Sequence, residues 1–307
     1  MQKIAIIGAG LMGHGIAQIF AINGHGVTLV DLDENILATA AAGIRENLEL
    51  MADHEVVDSS EIDAAVARVS TTVDAEKGVD GAGFVIEAVV ENLEVKQKIF
   101  SNLDRLCPPS TILASNTSVI SITEIAANSE GKQRIVGTHF WNPPHLIPLV
   151  EVVPGDETAP GTVDAMYDLL KGVGKHPVKV KKDVPGFVAN RLQHALWREA
   201  ISIVERGIAD AATVDECVRY GFGLRLPALG PMENSDMVGT DLTLAIHDYI
   251  LKHIESSPDP SPLLREKVEK GEFGFKSGQG FQSWSKAEAA ERRMKLQQYL
   301  LKVVKDL

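Results

Sequence analysis

KIAIIGAGLMGHGIAQIFAINGHGVTLVDLD, residues 3–33, decides the fold. It reads as a buried strand, a glycine turn, an amphipathic helix and a second apolar strand that ends in acid. That order is the opening of a dinucleotide-binding unit. Gly8 allows the tight turn out of the strand, Gly10 lets the backbone approach a pyrophosphate, and Gly13 lets the helix pack close to the strand. Leu11 and Met12 share that first turn, where a helix N-terminus favours phosphate. Asp31 ends the second strand, where its carboxylate can accept hydrogen bonds from the adenosine ribose and would repel a 2'-phosphate. No arginine stands at Leu32 or Asp33 to reverse that choice, so NAD is expected rather than NADP.

The rest of the composition suits a small-molecule enzyme. The 307 residues are 45% hydrophobic and 23% charged, which is enough for two domains with sizeable cores. No apolar run approaches the roughly 20 residues that span a bilayer, and no charged leader precedes the first strand, so a cytoplasmic protein without membrane contact is expected. Cys107 and Cys217 stand far apart, which indicates neither a disulfide framework nor a cysteine-rich metal site. A net charge of -12 speaks against a nucleic-acid partner, which would call for a basic face.

Further strands are predicted at 84–89, 111–115, 134–139 and 176–180, separated mostly by helical segments such as 93–106 and 158–171. The alternation implies an α/β fold, a Rossmann-like, doubly wound and mainly parallel sheet. The stretch 34–68 is helical in character and suggests a helical projection from the sheet. Beyond DVPGFVAN (183–190) no convincing strand remains, and helical periodicity recurs at 188–206, 213–221, 235–254 and 285–305. SSPDPSP (256–262) reads as a loop between helices. A boundary near Pro185 therefore divides an NAD-binding domain, 1–185, from an all-helical domain, 186–307.

HFWNPPHLIPLVE, residues 139–151, has a histidine at one end and a glutamate at the other. Pro143, Pro144 and Pro148 exclude a helix between them. Strands at 135–139 and 149–153 joined by a proline-fixed turn would bring His139 and Glu151 together.

With these motifs in view the sequence resembles the 3-hydroxyacyl-CoA dehydrogenase superfamily over almost its whole length. The resemblance is carried by GAGLMGHG (8–15), EAVVENLEVK (87–96), ASNTSVISIT (114–123), HFWNPP (139–144), LVEVV (149–153), DVPGFVANR (183–191) and FGFKSGQGF (273–281). It implies a helical C-terminal domain that forms a homodimer interface and an active site in the cleft between the domains. It also implies His139 as catalytic base with Glu151 as its carboxylate partner, and Ser118, Asn142 and Asn190 as polar substrate contacts. NAD contacts are implied at Glu91, Lys96, Ser118 and Asn142, besides the glycines and Asp31. The chemistry agrees. A histidine near neutrality suits removal of a hydroxyl proton as hydride departs, and a carboxylate on its other nitrogen fixes the tautomer. Ser118 and Asn142 can donate to the oxygen that becomes a carbonyl.

The bland readings differ from residue to residue. Asn190 could simply cap a helix, Glu91 and Lys96 could be a solvated pair, and His145 either lines the pocket or is structural. The other histidines read as ordinary positions.

Three features depart from the CoA-dependent members. In those, the region after Asp31 is implied to be lysine-rich and to hold CoA phosphates. Here GIRENLELMADHEVVDSSEID (43–63) offers Arg45 among Glu46, Glu49, Asp53, Glu55, Asp58, Glu61 and Asp63, a field that repels a nucleotide tail. Pro148 stands where they carry a lysine after the proline turn, and GFGLRLPALGPMENSD (221–236) is longer and brings Arg225. These features resemble branches of the superfamily that oxidise small free acids: gulonate 3-dehydrogenase with its lens relative lambda-crystallin, and the pyridine-carboxylate dehydrogenase of vitamin B6 degradation. The expectation is an NAD-dependent dehydrogenase of a small carboxylate-bearing hydroxy compound, with Arg225 gripping the carboxylate. The alternatives are an L-3-hydroxyacyl-CoA dehydrogenase and a catalytically silent structural homologue, the latter opposed by the intact set of site residues.

Overall fold

The computed structural model describes residues 1–306. In chain order the elements are β1 (Lys3–Ile7), α1 (Leu11–Ile22), β2 (Gly26–Val30), α2 (Glu34–Asp53), α3 (Ile62–Ala67), β3 (Val69–Thr72), α4 (Ala75–Val79), β4 (Phe84–Glu87), α5 (Leu93–Leu106), β5 (Ile112–Ser115), α6 (Ile122–Ile125), β6 (Ile135–Phe140), β7 (Leu149–Pro154), α7 (Pro160–Gly172), β8 (His176–Lys179), α8 (Ala189–Glu205), α9 (Ala211–Tyr220), α10 (Pro231–Val238), α11 (Thr240–Ile250), α12 (Pro262–Glu269) and α13 (Lys286–Lys305).

Eight strands form one sheet in the order β3-β2-β1-β4-β5-β6-β7-β8. All neighbours are parallel except β6 and β7. The order reverses between β1 and β4, the switch point at which such sheets bind dinucleotides outside their carboxyl ends. The central strands are buried on both faces, and β1 shows how: Ile4 and Ile6 join a core with α1 and α2, while Ala5 and Ile7 join the opposite core with Phe100 and Leu103 of α5. Layers of helices on both sides of the sheet follow.

Three expectations are corrected. The helical stretch 34–68 is no projection: Leu37, Ala40, Ile44 and Leu48 recur at helical spacing on α2 and are buried with Ile62 and Ala65 of α3 in the same core as β1. It is followed by β3, whose VSTT has too little apolar alternation to be read as a strand. The helix expected over 235–254 is two helices broken at Gly239, whose φ of 102° no other residue type adopts readily. The loop 256–262 ends in a helix that was not expected, α12, with Pro262 at its first position and Ser261 capping the amide of Leu264.

The chain divides into two compact units, Met1–Asn190 with Leu296–Leu307, and Arg191–Lys295. The second unit is helical and leaves many large apolar side chains exposed, among them Leu224, Met232, Met237, Leu244 and Tyr249.

Candidate active site

The glycine turn has the shape that a dinucleotide needs. Gly8 has φ 97°, and a Cβ there would lie 2.7 Å from the Ala88 carbonyl oxygen. A Cβ on Gly13 would lie 1.8 Å from the Gly8 carbonyl oxygen, so the helix sits directly on the turn. A Cβ on Gly10 would meet nothing within 4 Å. Gly10 begins α1 without a side-chain cap, which leaves an open backbone surface at the positive end of a helix. Asp31 is tied to this turn: Ala9 donates to its Oδ2 at 2.8 Å and Leu32 to its Oδ1 at 2.7 Å. Leu11 is exposed, and Met12 packs against the core.

Behind the turn, the ends of β4 and β5 carry a charged network. Glu87 is fully buried; it accepts from Lys96 Nζ at 2.7 Å and the Val89 amide at 2.7 Å, and on its other oxygen from Ser115 Oγ at 2.7 Å. Lys96, also fully buried, reaches Glu91 Oε2 at 3.3 Å. Glu91 Oε1 in turn accepts from Thr117 Oγ1 at 2.6 Å and from the amides of Ser118 and Val119 at 2.9 and 3.2 Å. Burial pushes the Glu91 carboxyl up, but the Thr117 hydroxyl, the Lys96 charge and the two amides outweigh it and hold the group below its ordinary value. The reading of Glu91 and Lys96 as a solvated pair is thus corrected for Lys96, which is buried, while the Glu91 side chain stays 36% exposed. Lys96 turns inward to carboxylates, and Glu91 shapes the loop that presents Ser118.

At β6 and β7 the antiparallel register sets His139 opposite Glu151, and side chains opposite one another on neighbouring strands share a face. The imidazole Nδ1 lies 2.8 Å from Glu151 Oε2, and both side chains are buried. The other Glu151 oxygen accepts from the amides of Val188 and Ala189 at 2.9 and 3.0 Å. Those amides are aimed by Gly186 and Phe187, with φ 76° and 49°, just before α8 begins. Phe187 is buried, and a left-handed backbone at such a residue is strain held in place by its surroundings. Burial pushes the Glu151 carboxyl up; the hydrogen bonds of His139, Ala189 and Val188 more than offset it, so the group is held below the usual glutamate value. The His139 ring is flanked by Trp141 and Phe187, with centroids 5.1 and 5.8 Å away. Asn190, in the first turn of α8, donates to the Ser118 carbonyl at 3.0 Å, so it links two parts of the site instead of capping its own helix.

The loop between β6 and β7 exposes Asn142 and turns His145 inward. A Cβ on Gly15 of α1 would lie 3.5 Å from His145 Nδ1, a buried nitrogen without a hydrogen-bond partner among the described residues. Burial, then the charges of Lys175 and His14, lower its pKa to about 4, so it is a neutral group wedged against α1. Lys175 clamps the same loop through the carbonyls of Pro144 and Ile147 at 2.5 and 3.0 Å.

The first unit therefore brings together His139, Glu151, Ser118, Asn190, Glu91 and the glycine turn. Arg225 belongs to the helical unit, in the exposed turn before α10. Sequence reasoning missed Glu87, the Val188 and Ala189 amides and Lys175. Only Glu87 carried a signal, an acid closing an otherwise apolar strand.

Comparison with known proteins adds the family. Residues 3–184 match the model of the 3-hydroxyacyl-CoA dehydrogenase NAD binding domain, and residues 186–284 that of the 3-hydroxyacyl-CoA dehydrogenase C-terminal domain. The chain is 40% identical over 303 residues to 5-formyl-3-hydroxy-2-methylpyridine 4-carboxylate 5-dehydrogenase of Mesorhizobium japonicum, covering 96% of each. It is 39% identical over 288 residues to human mitochondrial hydroxyacyl-coenzyme A dehydrogenase, covering 92% of this chain and 90% of that one. A crystal structure of a 5-formyl-3-hydroxy-2-methylpyridine 4-carboxylic acid 5-dehydrogenase, described as an NAD+ dependent dismutase, superimposes with a TM-score of 0.91 at 37% identity, covering 99% and 97% of the two chains. Matched by both domain models and by relatives along nearly its full length, the chain belongs to the 3-hydroxyacyl-CoA dehydrogenase family and is an NAD-dependent oxidoreductase of hydroxyl carbons.

Proposed function

We propose that this enzyme oxidises a hydroxyl carbon of a small carboxylate-bearing compound, with His139 as general base and Glu151 as the group that orients it. The observation that carries the base assignment is the buried His139–Glu151 pair. With Nδ1 committed to the carboxylate, Nε2 is the nitrogen that takes the hydroxyl proton, and Glu151 stabilises the imidazolium that forms. NAD, when bound, accepts the hydride from the same carbon. The open Gly10 surface and the α1 N-terminus are suited to its pyrophosphate, and Asp31 to its adenosine ribose. Ser118 and Asn142 are assigned to the oxygen that becomes the carbonyl, and Asn190 supports Ser118 from behind. We further assign the two domains to 1–185 and 186–307, and a homodimer to the apolar surface of the helical one.

The free-acid assignment rests on Arg45. The sole lysine or arginine between residues 43 and 63 is engaged by Asp63 at 2.9 Å and Glu49 at 3.8 Å, which leaves no free cation there for a CoA phosphate. Arg225 is assigned to the substrate carboxylate. The experiment is a screen of small hydroxy acids and their aldehyde counterparts with NAD, beside acetoacetyl-CoA with NADH, followed at the absorbance of the reduced cofactor. Turnover of a free acid with negligible reduction of acetoacetyl-CoA is expected; efficient reduction of the thioester, untouched by Arg225→Met, overturns the assignment. The second reading, a 3-hydroxyacyl-CoA dehydrogenase, is favoured by the 39% identity to the human enzyme.

A further inference from the structure

The network behind the glycine turn carries charge that the proton chemistry does not use. Glu87, Glu91 and Lys96 form one ion-paired cluster of two carboxylates and one ammonium. Its formal charge is one negative unit. Glu87 and Lys96 are fully out of water, so their charges are poorly screened, whereas the Glu91 side chain is 36% exposed and its charge is partly screened.

The topology says which end of the dinucleotide this charge faces. Asp31 at the end of β2 marks the adenosine ribose, and the turn after β1 marks the pyrophosphate. A dinucleotide laid across the switch point then extends over the other side, past the ends of β4 and β5. The contact is close: a Cβ on Gly8 would touch the Ala88 carbonyl, the residue that follows Glu87. The nicotinamide ring carries a positive charge when oxidised and none when reduced.

We propose that the Glu87–Lys96–Glu91 cluster is a determinant of cofactor redox state, whose net negative charge raises the affinity for NAD+ relative to that for NADH. Glu87 acts here through the field alone, because its oxygens are already occupied by Lys96, Ser115 and the Val89 amide. The inference rests on the use of NAD and is independent of what the substrate is.

The test is the pair of equilibrium dissociation constants for NAD+ and NADH, by calorimetry and by NADH fluorescence, in the absence of substrate. Glu87→Gln removes one charge while keeping an acceptor for Ser115 or the Val89 amide. It should weaken NAD+ about tenfold relative to NADH, the scale of one unit charge across a partly screened gap. Glu91→Gln should move the ratio the same way even if it weakens both forms, and it carries the test if Glu87→Gln does not fold. Asp31→Asn, at the adenosine end, should weaken both forms alike. An unchanged NAD+/NADH ratio in the foldable glutamine variants, or a shift of that ratio in Asp31→Asn as large as theirs, overturns the proposal.

Discussion

The edge of the sheet where β1, β4, β5 and β6 end and β7 and β8 begin has two halves that treat charge in opposite ways. At β4 and β5, Lys96 is buried between carboxylates, and Glu87 and Glu91 are in turn held by hydroxyls and amides. At β6, β7 and β8, burial favours the neutral forms of the basic groups. His145 is lowered to about 4 by burial and by the charges of Lys175 and His14, and Lys175 is lowered to about 8 by burial. The difference lies in the partners. Lys96 has carboxylates, whereas Lys175 has the carbonyls of Pro144 and Ile147, which cannot return the hydration energy of a buried ammonium. One half keeps its charges and pairs them, and the other drives basic groups towards neutrality.

The strongest attack on this division is His139→Ala, which should lower kcat at least about 100-fold and leave the dissociation constant of NAD within about twofold. Glu151→Gln should cost less, and the double variant should be no worse than His139→Ala alone, because the pair works as a unit. Additive losses in steady-state kinetics would mean that the two act separately. Next comes Arg225→Met, outside both halves, which should raise KM for a free acid roughly 10- to 100-fold without lowering NAD affinity.

Lys175 sharpens the contrast through stability. Below about pH 8 the lysine is protonated in both folded and unfolded states, and the full cost of its burial is present. Between about 8 and 10.5 the unfolded chain still holds the proton that the folded one has shed, so stability rises with pH. Denaturant unfolding of wild type against Lys175→Met at pH 7 and pH 9.5 should show the wild type gaining about 2 kcal/mol on the variant. A constant difference would mean that Lys175 keeps its proton. The smallest effect expected is at the end of β2: Asp31→Ser should weaken NAD about tenfold and relax discrimination against NADP, measured as kcat/KM for each cofactor. Wild type that already uses both cofactors equally would refute the reading of Asp31.

Where local chemistry decides the outcome, the sequence was legible. Gly8, Gly10, Gly13 and Asp31 lie within one βαβ unit, so the shape of their turn follows from spacing, and two strands around three prolines sufficed to set His139 against Glu151. What stayed hidden depends on residues distant in the chain. Lys96 reads as a surface lysine until β5 supplies Ser115 beside Glu87, and the Val188 and Ala189 amides have no side chain to advertise them. Residues 34–68 were read as a projection because helical spacing reveals an apolar stripe but not what covers it. Arg225 is visible as an unusual cation, yet its partner lies outside anything that spacing can specify.

The tail of the chain has a practical consequence. Leu301 of α13 is buried with Leu146 of the β6–β7 loop and Met51 of α2, and Lys305 pairs with Glu55. Residues 296–306 therefore cover the underside of the loop that bears Asn142. Trimming them by protease, or crowding them with a purification tag fused at the carboxyl terminus, would uncover Leu146, and preparations that differ only at that end should differ in turnover.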